Sequence, residues 1–358
     1  MQVKHKWHIL CEKDVGLFSL IQQVIAHVPM ALAENSVPVA LYREQCCYWH
    51  EGGYQGKHNV WEYYFEPIIS DYPSLLIEED IIAQINAKPP HFEYPGYHIN
   101  EKAFVTNHFG DHPALRGKTL KIPHQWTDPG SELRAETSSI IKKYVRPRDY
   151  LINKVEQFSS EHFHNKYVIG VHMRATDVTD PNEHNIHRRG SFKLERYLKK
   201  LDQLLTEQPS ARIFVATDSQ KALNDLKNHY GHRVIHASSI FHQSPDVAGR
   251  GPAGWVIPGY LADNTETAAQ NGEEAIIDYL LLSECQHLIH NGSGLARTAL
   301  LKNADLPHTN IHSKAAYFKS LVKLGNGELF QYLRFSYQHL IHRLKKPIKQ
   351  WVNWDKQR

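Results

Sequence analysis

The stretch Tyr167–Asp177, YVIGVHMRATD, changes character halfway along. Tyr167 to Val171 is short, apolar and β-branched, and from His172 the pattern becomes His-x-Arg-x-x-Asp. An apolar run of this length is the mark of a strand in a parallel sheet covered on both faces. The polar residues His172, Arg174 and Asp177 then emerge at the strand's carboxyl end, where open α/β sheets hold their ligands. The planar fork of Arg174 matches a pair of phosphate oxygens, and Asp177 can orient that fork or hold a ligand hydroxyl. An Arg–Asp pair that only ties a loop accounts for the same residues.

Outward from this strand the chain alternates. Downstream, the pattern predicts helix Lys193–Thr206, strand Arg212–Thr217, helix Lys221–Tyr230, strand Arg233–Ala237, helix Gly272–Cys285, strand His287–His290 and helix Leu295–Leu301, which is a doubly wound parallel sheet. Upstream, Leu133–Val145 reads as a helix stopped at Pro147, with another helix over Tyr150–Ser160. At the start, strand Val3–Cys11, helix Gly16–Glu34 and strand Val37–Tyr42 form a βαβ unit. The expected fold class is α/β, with two Rossmann-like domains facing a cleft. The expected domains are 1–147 on the acceptor side, 148–325 on the nucleotide side, and a tail at 326–358. Residues 71–129 give only fragments of pattern.

Composition bounds the function. The chain has 358 residues, 41% hydrophobic and 22% charged, with a formal charge of +3, values of a folded globular protein with no polyanion-binding surplus. Nucleic acid is therefore not an expected partner. The 25 histidines are scattered, and pairs such as His162/His164 and His184/His187 lack the further ligands of a zinc site, so no metal is expected. The four cysteines make no CxxC pair and no disulfide framework, which fits a reducing compartment and a cytoplasmic location. No signal peptide or membrane span is expected. The tail at Leu329–Trp354 is basic and amphipathic, suited to packing back on the protein or to lying on the inner face of a membrane.

Other constellations point to a nucleotide. Asn291–Arg297, NGSGLAR, follows a strand and opens a helix, so amides around Gly292, Ser293 and Gly294 can cradle a phosphate at the helix's positive end. Arg297 stands where a dinucleotide fingerprint has its third glycine, which disfavours NAD. Asp218 in ATDS puts a second carboxylate at the sheet edge or caps the next helix. Asp278, among Ile276, Ile277, Tyr279, Leu280 and Leu281, needs a partner if it faces inward, such as the N–H edge of a base. No Asp-x-Asp pair is present, which favours a site without a metal ion. Cys46–Pro67, rich in Trp, Tyr and Gly, is either a loop pinned by its rings or a platform for sugar faces.

Together HMRATD at His172–Asp177, ATD at Asp218 and EAIIDYLLLSECQHLIHNGSGLARTA at Glu274–Ala299 resemble the α1,6-fucosyltransferase family, which includes the nodulation-factor and N-glycan-core enzymes. The resemblance covers mainly residues 165–315. It implies a GT-B-like fold, an inverting, metal-independent reaction, GDP-fucose as donor, no cofactor and a glycan acceptor. It also implies that Arg174 holds the β-phosphate, His172 and Asp278 contact the nucleoside, Asp218 lines the donor pocket and Ser293 binds phosphate. The family has a second arginine directly after the first, and here that position is Ala175. It has a glutamate ten residues beyond the motif histidine, and here that position is Asn182, with Glu183 one further on as the candidate general base and Asp180, His184 and His187 as rivals.

Overall fold

The computed structural model describes residues 5–13, 15–90, 94–110, 112–123, 128–174, 194–241 and 262–311. Residues 178–192 and 312–358, with Glu183 and the amphipathic tail among them, lie outside the described residues, as does Asp177.

The first sheet begins with the expected βαβ unit: β1 (Lys6–Cys11), α1 (Leu17–Ala33) and β2 (Ser36–Leu41). After the short α2 (Val60–Tyr64) come α3 (Glu79–Ala87), β3 (Tyr97–Ile99) and β4 (Ala103–Thr106). The strand order is β2-β1-β4-β3, with β1 parallel to both neighbours and β3 antiparallel at the edge. The 71–129 stretch, which has no readable period, therefore supplies half of this sheet. Its strands are three and four residues long, too short for alternation to register.

Helices α4 (Ser131–Tyr144) and α5 (Asp149–His162) lead to β5 (Val168–Met173), α6 (Leu194–Glu207), β6 (Arg212–Thr217), α7 (Gln220–Tyr230), β7 (Val234–Ile235), α8 (Thr265–Glu284), β8 (His287–His290), α9 (Gly294–Lys302) and β9 (His308–Asn310). All five strands are parallel, in the order β7-β6-β5-β8-β9. The α/β class with two Rossmann-like sheets, expected from the sequence, is what the structure has. Two readings are corrected. The strand expected over Arg233–Ala237 pairs only at Val234–Ile235. The helix expected to begin at Gly272 begins at Thr265, where the Asn264 side chain accepts the Thr267 amide at 2.8 Å.

Gly272 is thus mid-helix, and its role is steric. A Cβ there would lie 2.2 Å from the Tyr64 hydroxyl oxygen, which donates to the carbonyl of Ala269 at 2.8 Å. Toward the other end of α8, Gly170 on β5 does the same: a Cβ would lie 2.9 Å from Cys285 Sγ and 2.9 Å from Leu282 Cδ2. Tyr48, Trp61, Tyr63, Tyr64 and Phe65 are all buried, so the aromatic stretch is core packing against α8, and the sugar-platform reading of those rings is set aside. Helix α4 braces α9: Arg134 donates to the carbonyls of Leu300, Asn303 and Leu306 at 3.1, 2.9 and 2.7 Å, completing the helix C-terminus. All four cysteines are free. Among the described residues no helix is long and apolar enough to cross a membrane.

Gly272→Ala tests the packing of α8. Helix propensity alone favours alanine by about 1 kcal/mol, yet the clash with Tyr64 is expected to dominate, with a net loss of about 1–3 kcal/mol. The denaturation midpoint should fall at unchanged m-value.

Candidate active site at the carboxyl edge of the second sheet

In the second sheet the chain runs from β5 to β6 on one side and later returns to β8 on the other, so the switch point lies between β5 and β8. That crevice is where such sheets bind ligands. His172 and His290 are register partners on these two strands. Arg174 directly follows this part of β5, and Asn291 follows β8 and donates from Nδ2 to the Arg174 carbonyl at 3.1 Å. Thr217 at the end of β6 donates to the Met173 carbonyl at 2.7 Å. Both neighbouring strands therefore clamp the backbone that carries Arg174.

Ser293 joins the two sides. Its hydroxyl oxygen caps α9 by accepting the Ala296 amide at 3.1 Å, and the same oxygen lies 3.0 Å from His172 Nδ1. The Ser293 hydroxyl thus bonds the start of α9 and the His172 ring at once. Gly292 adopts φ of 76°, a conformation that favours glycine, and its amide donates to His290 Nδ1 at 3.0 Å. The cradle read from the sequence is thereby narrowed: the Gly292 amide is engaged inside the protein, and an anion would meet the amides beyond it. Gly294 opens α9 close to α1, where a Cβ on it would lie 3.3 Å from Phe18 Cβ. Gln22 on α1 donates to the Gly294 carbonyl at 3.2 Å and to Thr298 Oγ1 at 2.9 Å.

Behind the turn lies a polar group that sequence spacing missed, because its members come from a loop and two strands. Asp128, His290 and His308 place potential metal-ligand atoms within 4.8 Å of one another. Their hydrogen bonds describe a relay. Since His290 Nδ1 accepts from Gly292, its proton sits on Nε2 and faces His308 Nδ1 at 3.1 Å, while Asn310 donates to Asp128 Oδ1 at 2.9 Å. A metal-bound imidazole donates from its other nitrogen, the reverse of this arrangement. Burial, His308, His172 and the charges of Arg297 and Arg134 hold His290 well below the usual histidine range, so it is neutral. Arg297 is itself buried, donates to the Pro123 carbonyl, and is lowered to about 10 by burial, with Asp128 opposing. Arg297 belongs to the first turn of α9, so its charge, partly balanced by Asp128, adds to the positive end of the helix.

The other sequence candidates fall at the same edge. Ser219, not Asp218, caps α7, its oxygen accepting the Ala222 amide at 3.3 Å, which leaves Asp218 in the turn after β6. Asp278 is buried on α8, as its surroundings in the sequence require. Its Oδ2 accepts from Ser238, beyond the end of β7, at 2.6 Å, and its Oδ1 has no partner among the described residues. Burial pushes this carboxyl up to about 8, opposed by Ser238 and assisted by Glu274. From the first half of the chain the structure adds Tyr48, whose buried phenol is held by the Leu17 amide and lies in the field of Arg174. No motif marked Tyr48, since burial in an aromatic stretch hides it among core rings.

Residues 137–252 match the family model of alpha-(1,6)-fucosyltransferase N- and catalytic domains. This part of the chain is fucosyltransferase-like. The fucosyltransferase-like segment holds β5, Arg174 and Asp218, and the rest of the candidate edge, from Asp278 to Arg297, follows it in the chain. No curated protein matches the sequence. In fold, the chain is similar to the crystal structure of POFUT1 in its apo form, with TM-score 0.51, 10% identity, and coverage of 87% of this chain and 99% of that one. It is also similar to POFUT1 in complex with GDP, with TM-score 0.50, 11% identity, and coverage of 87% and 100%. Fucosyltransferase NodZ from Bradyrhizobium aligns with TM-score 0.47, 15% identity, and coverage of 83% and 92%.

Asp278 gives a stability test. A folded-state pKa raised to about 8 from 3.8 makes its contribution complete below the unfolded value and lost as pH rises through the folded one. The parent should therefore lose melting temperature as pH rises from about 4 to about 8, and Asp278→Asn, which carries no charge to bury, should lose less in the unliganded protein.

Proposed function

We propose that the protein is an inverting, metal-independent glycosyltransferase that moves fucose from GDP-fucose to a glycan acceptor. The observation that carries this reading is the buried Asp278 carboxyl, whose Oδ1 has no partner among the described residues, at the same sheet edge as Arg174 and the Ser293–His172 pair. Guanine presents two adjacent N–H groups on one edge, and a carboxylate accepts both. Support comes from the family match over 137–252 and from a fold shared with POFUT1, which has been crystallised with GDP and with GDP-fucose.

In this reading residues 148–325 bind the donor and residues 1–147 the acceptor. Arg174, the end of α9 and the charge of Arg297 in its first turn stabilise the negative charge that grows on the departing diphosphate. Asp218 and His172 line the donor pocket, and Asp177 orients the Arg174 fork or holds a donor hydroxyl. The acceptor hydroxyl attacks the anomeric carbon from the face opposite the nucleotide, which inverts the configuration. We place the protein in the cytoplasm, with the basic tail at 326–358 as a peripheral membrane contact. Ala175, in place of the family's second arginine, favours another GDP-sugar as a second reading, and comparing turnover of GDP-fucose with that of GDP-mannose separates the two.

Calorimetry with GDP in EDTA tests the donor. Because the guanine edge needs the ionised form of a carboxyl held at about 8, affinity should rise severalfold between about pH 7 and about pH 8. Tighter binding of UDP than of GDP would overturn the reading. Arg174→Lys keeps the charge but loses the fork, and should slow GDP release from GDP-fucose by about 10²–10³.

A further inference from the structure

The first sheet has a switch point of its own. Strand β1 is flanked by β2 on one side and β4 on the other, so the crevice beyond their carboxyl ends is a ligand position by the rule that selects β5–β8 in the second sheet. Each of these three strands delivers a polar residue there: Glu12 directly after β1, Arg43 just beyond β2 and Asn107 directly after β4. Lys13 lies 4.6 Å from the centroid of the Phe109 ring, which ties the β1 and β4 loops across the crevice. Glu12 and Asn107 are each only 8% exposed.

These groups are incompletely satisfied. Asn107 donates from Nδ2 to the Pro90 carbonyl at 2.9 Å, but its Oδ1 is buried with no partner among the described residues, and so is Arg43 Nε. Each such orphan is destabilising, and a ligand with matching groups removes that cost. One orphan is a donor and the other an acceptor, a combination that suits hydroxyls, which give and take one hydrogen bond each. Burial pushes the Glu12 carboxyl above its ordinary range, opposed by its own amide, by the charge of Arg43 and by the Arg43 amide, and assisted by Glu44. The thiols of Cys11 and Cys46 and the phenol of Tyr42 around it are also raised by burial and stay neutral. Residues 46–48 connect this crevice to the donor edge, since Cys46 lies in the field of Glu12 and Tyr48 in that of Arg174.

We propose that the carboxyl edge of the first sheet is the acceptor site, where Arg43 and Asn107 bind sugar hydroxyls and Glu12 is the general base. The inference rests on the glycosyl-transfer reading above. In the step, the acceptor oxygen bonds to the anomeric carbon while the bond from that carbon to the β-phosphate oxygen breaks, its electron pair leaving on GDP. The acceptor's proton passes to Glu12, which returns it to solvent. Glu183, the base expected from the sequence, is the comparator.

The experiment is GDP release from GDP-fucose by the full chain, first with water as acceptor and then with methyl hexosides. Glu12→Gln should be slower by at least about a hundredfold, with GDP affinity unchanged and the melting temperature not lowered; Glu183→Gln is measured beside it, and a loss there with none in Glu12→Gln assigns the base to Glu183 and overturns this inference. Formate should restore turnover to Glu12→Ala, an effect that a structural role for Glu12 does not produce. Methyl hexosides should accelerate GDP release by the parent, and Asn107→Ala should lose about tenfold of that acceleration. A parent that binds GDP and hydrolyses GDP-fucose while Glu12→Gln keeps its rate overturns this inference alone, and acceleration by no hexoside overturns the sugar-hydroxyl assignment. A parent that does neither overturns the donor reading and this inference with it.

Discussion

Helix α8 is the element whose position everything else depends on, and two missing side chains set that position. Gly170 lets the C-terminal part of the helix settle onto β5, and Gly272 lets Tyr64 reach its N-terminal half. Protein interiors are close-packed, so a single Cβ at either contact moves the helix or the element facing it. The helix carries Asp278, and β5 leads to Arg174. The same close approaches that build the core therefore fix the distance between a buried carboxyl and a phosphate-matching guanidinium.

The polar groups at the sheet edges are arranged by a second constraint, the hydrogen-bonding demands of strand ends and helix starts. Asn291 and Thr217 bond backbone carbonyls at the end of β5, and Ser293 caps α9 while reaching His172. His290 accepts the amide of Gly292 at Nδ1 and donates from Nε2 to His308. What these bonds leave over is uneven in charge. Arg134 and Arg297 are both buried near Asp128, and Arg297 sits at the helix end that is already positive. The Arg297 charge, only partly balanced by Asp128, favours an anion at that helix end.

Helix α4 shows how the two halves of the sequence are stitched. It precedes Pro147, yet Arg134, Thr137 and Ser138 all bond carbonyls of the last turn of α9 or the residues after it. On its other side α1 contributes Phe18 and Gln22 to the start of the same helix. A nine-residue helix is marginal alone, and α9 stands because both of its ends are held by segments far away in the chain.

The sequence by itself determined the second sheet and the identity of its central edge. Its central strands β5, β6 and β8 are four to six residues built round an apolar run and its helices are long enough to show a period, so these strands and the residues His172, Arg174 and Ser293 that follow or end them were legible. Local chemistry also announced that Asp278 is buried and in need of a partner. Only the tertiary structure decided that Ser238 is that partner, that the Gly292 amide turns inward to His290, that the rings of 46–67 are core, and that Glu12, Arg43 and Asn107 share one crevice. The physical reason is range. Periodicity and capping are written within a few residues, whereas β3, β4 and β9 are too short to show a period and owe their place to partners up to about a hundred residues away.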